Sequence, residues 1–180
     1  MADDVGRAAV GELLHSPEVT SELESIITAV EPLLRSRPAE WWDEVWAAGK
    51  WQRRQVLGHL IDSASNNHQR FVRAVIQDCY EGPGYDQEAC VRVERFDTAP
   101  IEVLIALFCS YNRLLVHVAS HFPPEKLGTI CRVGAYPETT LGELATDYLA
   151  HLEHHLRQIF GGKPLPYSGL PWPPSQRELK

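Results

Sequence analysis

Apolar residues recur at helical spacing in four stretches of this chain, separated by linkers in which Gly and Pro cluster. The first predicted helix runs from about Pro17 to Arg35, with Ser16 as its N-cap and Pro17 in the first turn, where a missing N–H costs nothing. Pro32 is expected to kink or end it. A linker carrying Trp41, Trp42 and Trp46 follows, and indoles normally pack on a core. The second helix, "QRRQVLGHLIDSASNNHQRFVRAVIQ", extends from about Gln52 to Asp78. "CYEGPGYDQEACVRVERF" then reads as a loop around its Gly-Pro-Gly. It is long for a connection, so it either crosses a bundle or carries function.

The third helix opens at Asp97 or Thr98, with Pro100 in its first turn, and runs to about Ser120, where "FPPEKLG" closes it. Segment 128–138 reads as a short extended piece. The fourth helix has the clearest boundaries: Thr140 and Glu143 form a capping box, and Gly161-Gly162 stop it. Four long helices with little strand signal predict an all-α fold, a four-helix bundle with a long connection between its second and third helices. Residues 1–180 read as one domain, its core about 17–162 and a Pro-rich tail, 163–180, forming an extended strap anchored by Trp172.

Composition narrows the class of partner. A formal charge of −7 argues against a nucleic-acid partner, which selects for basic surface. Arg53, Arg54, Arg70 and Arg73 read as solvated charges on one helix face. The acidic start lacks the pattern of a signal peptide, and no uninterrupted apolar run reaches the ~18 residues of a membrane span. Cys79, Cys90, Cys109 and Cys131 are scattered without a CxxC pair, which reads as reduced thiols in a cytoplasmic protein.

The chemistry concentrates in "DYLAHLEHHLRQI". Taking ~100° per residue with His151 at zero, His155 falls at about 40°, among Leu144, Tyr148 and Leu152, while His154 falls at about 300°. His151 and His155 are therefore predicted to face inward, His154 to lie at the margin and face water, and Glu153, Arg157 and Thr146 to form the wet side. Two inward imidazoles one turn apart need hydrogen bonds or a metal, and the i, i+4 spacing lets both reach one ion. That pair alone fits a metal site and satisfied core histidines equally. For a third ligand the second helix offers two residues. His59 shares a stripe with Ser63, Asn66 and Arg70, either solvent-exposed or lining a polar cavity, whereas His68 lies on the apolar side. Periodicity does not choose between them.

"KWQRRQVLGHLIDSASNNHQRFVRA", "YDQEACV", "YNRLL" and "LATDYLAHLEHHLRQI", in this order, resemble the DinB/YfiT-like superfamily of metal-dependent enzymes over about residues 20–160. The resemblance implies a four-helix bundle with an overhand crossing between its second and third helices. It implies a three-histidine site, carried over as His59, His151 and His155, and so selects His59 over His68. The Ser that commonly caps the second helix is Gln52 here, which implies a small loss of helix stability. Three neutral imidazoles suit Zn²⁺ or Ni²⁺ and leave coordination positions open for water or substrate. Asp62, Asp147 and Tyr148 are the candidate groups supporting the ligands, Asp147 lying one turn before His151. Asp86 and Gln87 of "YDQ" are placed to fold over the site; Asn66, Asn67 and Asn112 are weaker candidates.

The expected function is therefore a metal-dependent enzyme activating water or a thiol on a small-molecule substrate. It would be a hydrolase or a transferase of a low-molecular-weight thiol. A non-catalytic, stress-related metal- or ligand-binding module is the competing expectation, and a homodimer is a family-level one. No phosphate loop or nucleophile elbow diverts the reading elsewhere.

Overall fold

The computed structural model describes residues 17–162; the predicted Ser16 cap and the Pro-rich tail lie outside them. Six α-helices and a small sheet follow in the order α1 Pro17–Arg35, α2 Ala39–Asp43, α3 Arg53–Ile76, β1 Cys79–Gly82, α4 Gln87–Val93, α5 Ile101–Ser120, β2 Ile130–Val133, β3 Thr139–Thr140 and α6 Leu141–Ile159. The four long helices α1, α3, α5 and α6 form the predicted bundle.

Cross-helix contacts give the directions. Glu31 meets Arg113 and Arg35 meets Glu102, so α1 and α5 run antiparallel. Arg54 reaches the Ala99 carbonyl, His68 meets Tyr111 and Phe71 meets Phe122, so α3 and α5 run parallel. Helix α6 returns antiparallel to α3, with Arg53 on the Ile159 carbonyl and Phe71 against Tyr148. Parallel neighbours require the chain to travel back along the bundle between them, roughly 36 Å for a 24-residue helix. This is the work of residues 77–100. The expected crossing is present, but it is not a bare loop: β1 and α4 are built into it.

Strand β2 lies between β1, to which it is parallel, and β3, to which it is antiparallel. Tyr80, Cys131 and Val133 turn inward from this sheet and are buried. All four cysteines are free thiols. Helix α5 is apolar and long enough to cross a membrane by composition, with mean hydropathy 1.5. Here it is a bundle member, burying Leu104, Ile105, Phe108, Cys109, Asn112 and Leu115 on one face.

Several expectations need correction. Pro32 does not end α1, which continues to Arg35; placed in the last turn, it removes only one helical hydrogen bond. Helix α3 starts without the Ser cap, yet Gln55 Oε1 accepts from the Gln52 backbone N–H at 2.9 Å, satisfying one terminal donor. The four arginines are not one solvated face. Only Arg73 is exposed; Arg70 is 2% exposed, and Arg53 and Arg54 pin α3 to neighbouring segments. Glu153, expected on the wet side of α6, is buried and paired with Arg157. Thr146 is half-buried, and of the three only Arg157 is exposed.

Candidate metal centre

Both ends of α6 are fixed, which sets the height of its histidines against α3. At the start, Thr140 Oγ1 accepts from the Glu143 N–H and Glu143 Oε2 accepts from the Thr140 N–H, closing the predicted capping box. The first turn is tied down further by Leu141 N–H to the Thr129 carbonyl and Gly142 N–H to the Leu127 carbonyl. At the other end, Arg53 Nε donates to the Ile159 carbonyl at 3.0 Å while its Nη1 reaches Trp41 and Glu44. Gly161 and Gly162 then take positive φ values of 70° and 75°, stopping the helix where predicted.

Held this way, α6 brings His151 and His155 against His59 of α3. One ring nitrogen from each histidine can be chosen so that all three lie within 4.8 Å of one another. The ring centroids are 4.4 to 5.1 Å apart. His59 Nε2 and His151 Nε2 are separated by 3.1 Å, close to the ~3.0–3.4 Å expected of two nitrogens each bound ~2.1 Å from one ion. His59 is fully buried, and the other two are half-buried.

The outward-facing nitrogens have partners that orient the rings. Ser63 Oγ lies 3.3 Å from His151 Nδ1, and Gln158 Oε1 lies 2.7 Å from His155 Nδ1. With its Nδ1–H donated to an oxygen, each ring keeps the Nε2 lone pair for the centre. His59 Nδ1 is buried without a partner, and Trp51 packs on its ring at 5.3 Å. Burial pushes the His59 imidazolium down to about 4 and that of His155 down to about 3, so both rings are neutral near pH 7. Neutral donors facing one point fit a divalent cation.

The structure keeps His68 out of this cluster: it is half-buried and meets the Tyr111 hydroxyl at 3.2 Å. His154 is half-buried rather than exposed, with Nε2 on the Gln158 amide at 2.7 Å. Gln158 thus contacts both His154 and His155. Tyr148 does not support a ligand; its hydroxyl donates to Asn112 Oδ1. Asn66, Asn67 and Asn112 each donate to the carbonyl four residues back. Asp86 caps α4 by accepting from the Ala89 N–H, and Asp147 is half-buried one turn before His151. Asp62 is 9% exposed and turns toward the crossing segment, where burial first and then Glu94 push its carboxyl up to about 7. Ser63 and Gln158 are the site residues that sequence reasoning missed. Their signal was positional: each lies within one turn of a histidine on its own or the facing helix.

A sequence profile of the DinB superfamily matches residues 22–159. A protein of Oceanobacillus iheyensis named "Putative metal-dependent hydrolase OB0413" is 24% identical over 158 residues, 86% of this chain and 91% of its own length. A second from the same organism, "Putative metal-dependent hydrolase OB0782", is 23% identical over 161 residues, 83% of this chain and 91% of its own length. Among solved structures, YfiT from Bacillus subtilis, described as "a probable metal-dependent hydrolase with an unusual four-helix bundle topology", superposes with a TM-score of 0.70 at 21% identity. That match covers 79% of this chain and 82% of YfiT, and it supports the fold. The parallel α3 and α5, the connection that crosses between them and the match over residues 22–159 agree: this chain belongs to the DinB superfamily.

Proposed function

We propose that this chain is a metal-dependent hydrolase in which His59, His151 and His155 hold one divalent cation, Zn²⁺ or Ni²⁺ by donor chemistry. The observation that carries the reading is the convergence of three imidazoles, two of them with Nδ1 already engaged by Ser63 and Gln158. Three protein ligands leave positions for water and substrate, as in catalytic rather than closed structural sites. When bound, such an ion supplies Lewis acidity, lowering the pKa of water or a thiol toward neutrality.

The residues around it divide the remaining work. Ser63 and Gln158 fix ring orientation, and Trp51 shields the His59 face from water. Asp62, one turn beyond His59, is a carboxyl that still holds its proton near neutral pH, which suits proton transfer to or from a small-molecule substrate. Asp147 contributes negative charge one turn from His151. The hydrolytic assignment draws on the names of the Oceanobacillus relatives.

Elemental analysis of the purified protein tests the site. One equivalent of divalent metal in the wild type and in His154→Ala, with background levels in His59→Ala and His155→Ala, is the expected pattern. Full metal content in His59→Ala would remove the assignment. Metal-dependent turnover on an ester and amide panel is expected. Turnover confined to a low-molecular-weight thiol with an electrophile would instead make the protein a thiol transferase.

A further inference from the structure

Beside the histidine centre lies a cavity of ≈ 510 Å³, within the range of small-molecule sites. One wall is the start of α3, where Trp51, Gln52 and Gln55 line it; the other is α4 and the turn after it. Trp51 belongs to both places, since its ring also packs against His59. Gln55 stands one turn before His59 on the same helical face. The Trp51 ring thus stands between this cavity and His59.

The charges in the far wall are two cations and two anions: Arg92, Arg95, Glu88 and Asp97. Arg95 and Asp97 satisfy each other, with Nε 3.1 Å from Oδ1. Arg95 does this from a left-handed backbone, φ 54°, a conformation that a bulky residue holds only where its surroundings enforce it. Glu88 and Arg92 remain. They are one turn apart on α4 in the order that favours a helix ion pair, yet no ion pair or side-chain hydrogen bond joins either side chain to another of the described residues.

We infer that this cavity receives the ammonium–carboxylate head of an amino-acid-like substrate, the carboxylate on Arg92 and the ammonium on Glu88. A simple anion would meet Glu88 beside Arg92, and a simple cation the reverse. An uncharged ligand would desolvate both side chains without compensation. A zwitterion satisfies the two together. The Gln52 and Gln55 amides offer donors and acceptors to its backbone atoms, and the Trp51 indole covers its side chain. The inference deepens the hydrolase reading by naming the substrate class, and it rests on that reading only for what happens at the far end.

The test is calorimetric titration of the metal-loaded protein with L-methionine, N-acetyl-L-methionine and L-methionine amide. Binding of free methionine at least about tenfold tighter than either blocked form is expected, the loss from one charge-assisted hydrogen-bonding partner. Glu88→Gln and Arg92→Gln, both exposed positions that leave the core untouched, should each weaken methionine binding by about tenfold. Arg92→Gln should leave the amide's affinity unchanged. The exchange Glu88→Arg with Arg92→Glu should recover part of the loss. Equal affinity for the three compounds, no detectable binding, or unaltered binding in both single variants would overturn the inference. Metal content in the same samples separates the two readings: methionine binding by wild type that takes up no metal on loading would sink the hydrolase centre and leave the head-group site standing.

Discussion

Replacing Asp62 by Asn should stabilise this protein at alkaline pH and do little at acidic pH. Asp62 is 9% exposed, its Oδ2 has no hydrogen-bond partner, and burial together with Glu94 raises its carboxyl from 3.8 to about 7. A raised folded-state pKa means that the native state prefers the acid form. Below pH 3.8 the folded and unfolded chains are both protonated at this site, and the group costs nothing. Between pH 4 and 7 the unfolded chain releases its proton while the native state keeps it, so stability falls as pH rises. Above pH 7 the loss is complete. A rise of about three units at 1.36 kcal/mol each sets an upper bound near 4 kcal/mol. Burial is the larger cause, so solvent screening of the exposed Glu94 trims this bound only to about 3 kcal/mol. An amide of the same shape removes the ionisation and with it the penalty. Urea unfolding of chelator-treated wild type and Asp62→Asn at pH 5 and pH 8.5 measures the difference. The variant should gain about 3 kcal/mol at pH 8.5 and about half of that at pH 5. A gain or loss of the same size at both pH values would refute the linkage.

Three further outcomes are expected. Ser63→Ala and Gln158→Ala should each weaken metal binding by about 10–100-fold in competition with a chelator, because each frees a ring nitrogen that fixes a ligand's orientation; Asn66→Ala should not change it. Gly58→Ala should cost about 1–3 kcal/mol in urea unfolding, since a Cβ there would overlap the Phe96 ring, itself 6% exposed and without room to retreat. Tyr148→Phe should cost about 1–3 kcal/mol by leaving Asn112 Oδ1 buried and unpaired, with metal content unchanged.

The long helices were legible because their ends are written locally. Thr140 with Glu143 starts α6, and Gly161-Gly162 ends it at the expected place. What failed was non-local. β1 is four residues long with one buried side chain, and its partner, β2, lies fifty residues downstream, so no window around "CYEG" contains the reason it is extended. The same limit applies to Arg53 and Arg54. Their sequence neighbourhood is polar, and only the approach of Ile159 and Ala99 turns them into structural pins.

The site itself shows why rotation arguments chose His151 and His155 yet could not choose His59. On α6 the buried arc runs from Leu144 and Tyr148 through Leu152, Leu156 and Leu149 to Glu153, about 20° to 200° from His151. The two histidines sit on the flank of that arc and only half-buried, and reading them as inward succeeded because the flank still faces α3. On α3 the apolar arc through Leu60, Phe71, Ala64 and Leu57 is again centred roughly 120° from His59. His59 is therefore a flank residue too, and its full burial comes from what covers it, the α6 imidazoles and Trp51. The centre lies in the seam between two helices, beside the apolar axis of the bundle. A seam position has mixed neighbours on its own helix, Ser63 and Arg70 here, and so carries no periodic signature of burial. That geometry also suits the chemistry. His59 and His155 on the flank are dry enough to stay neutral, and Trp51, which packs on His59, also lines the neighbouring cavity.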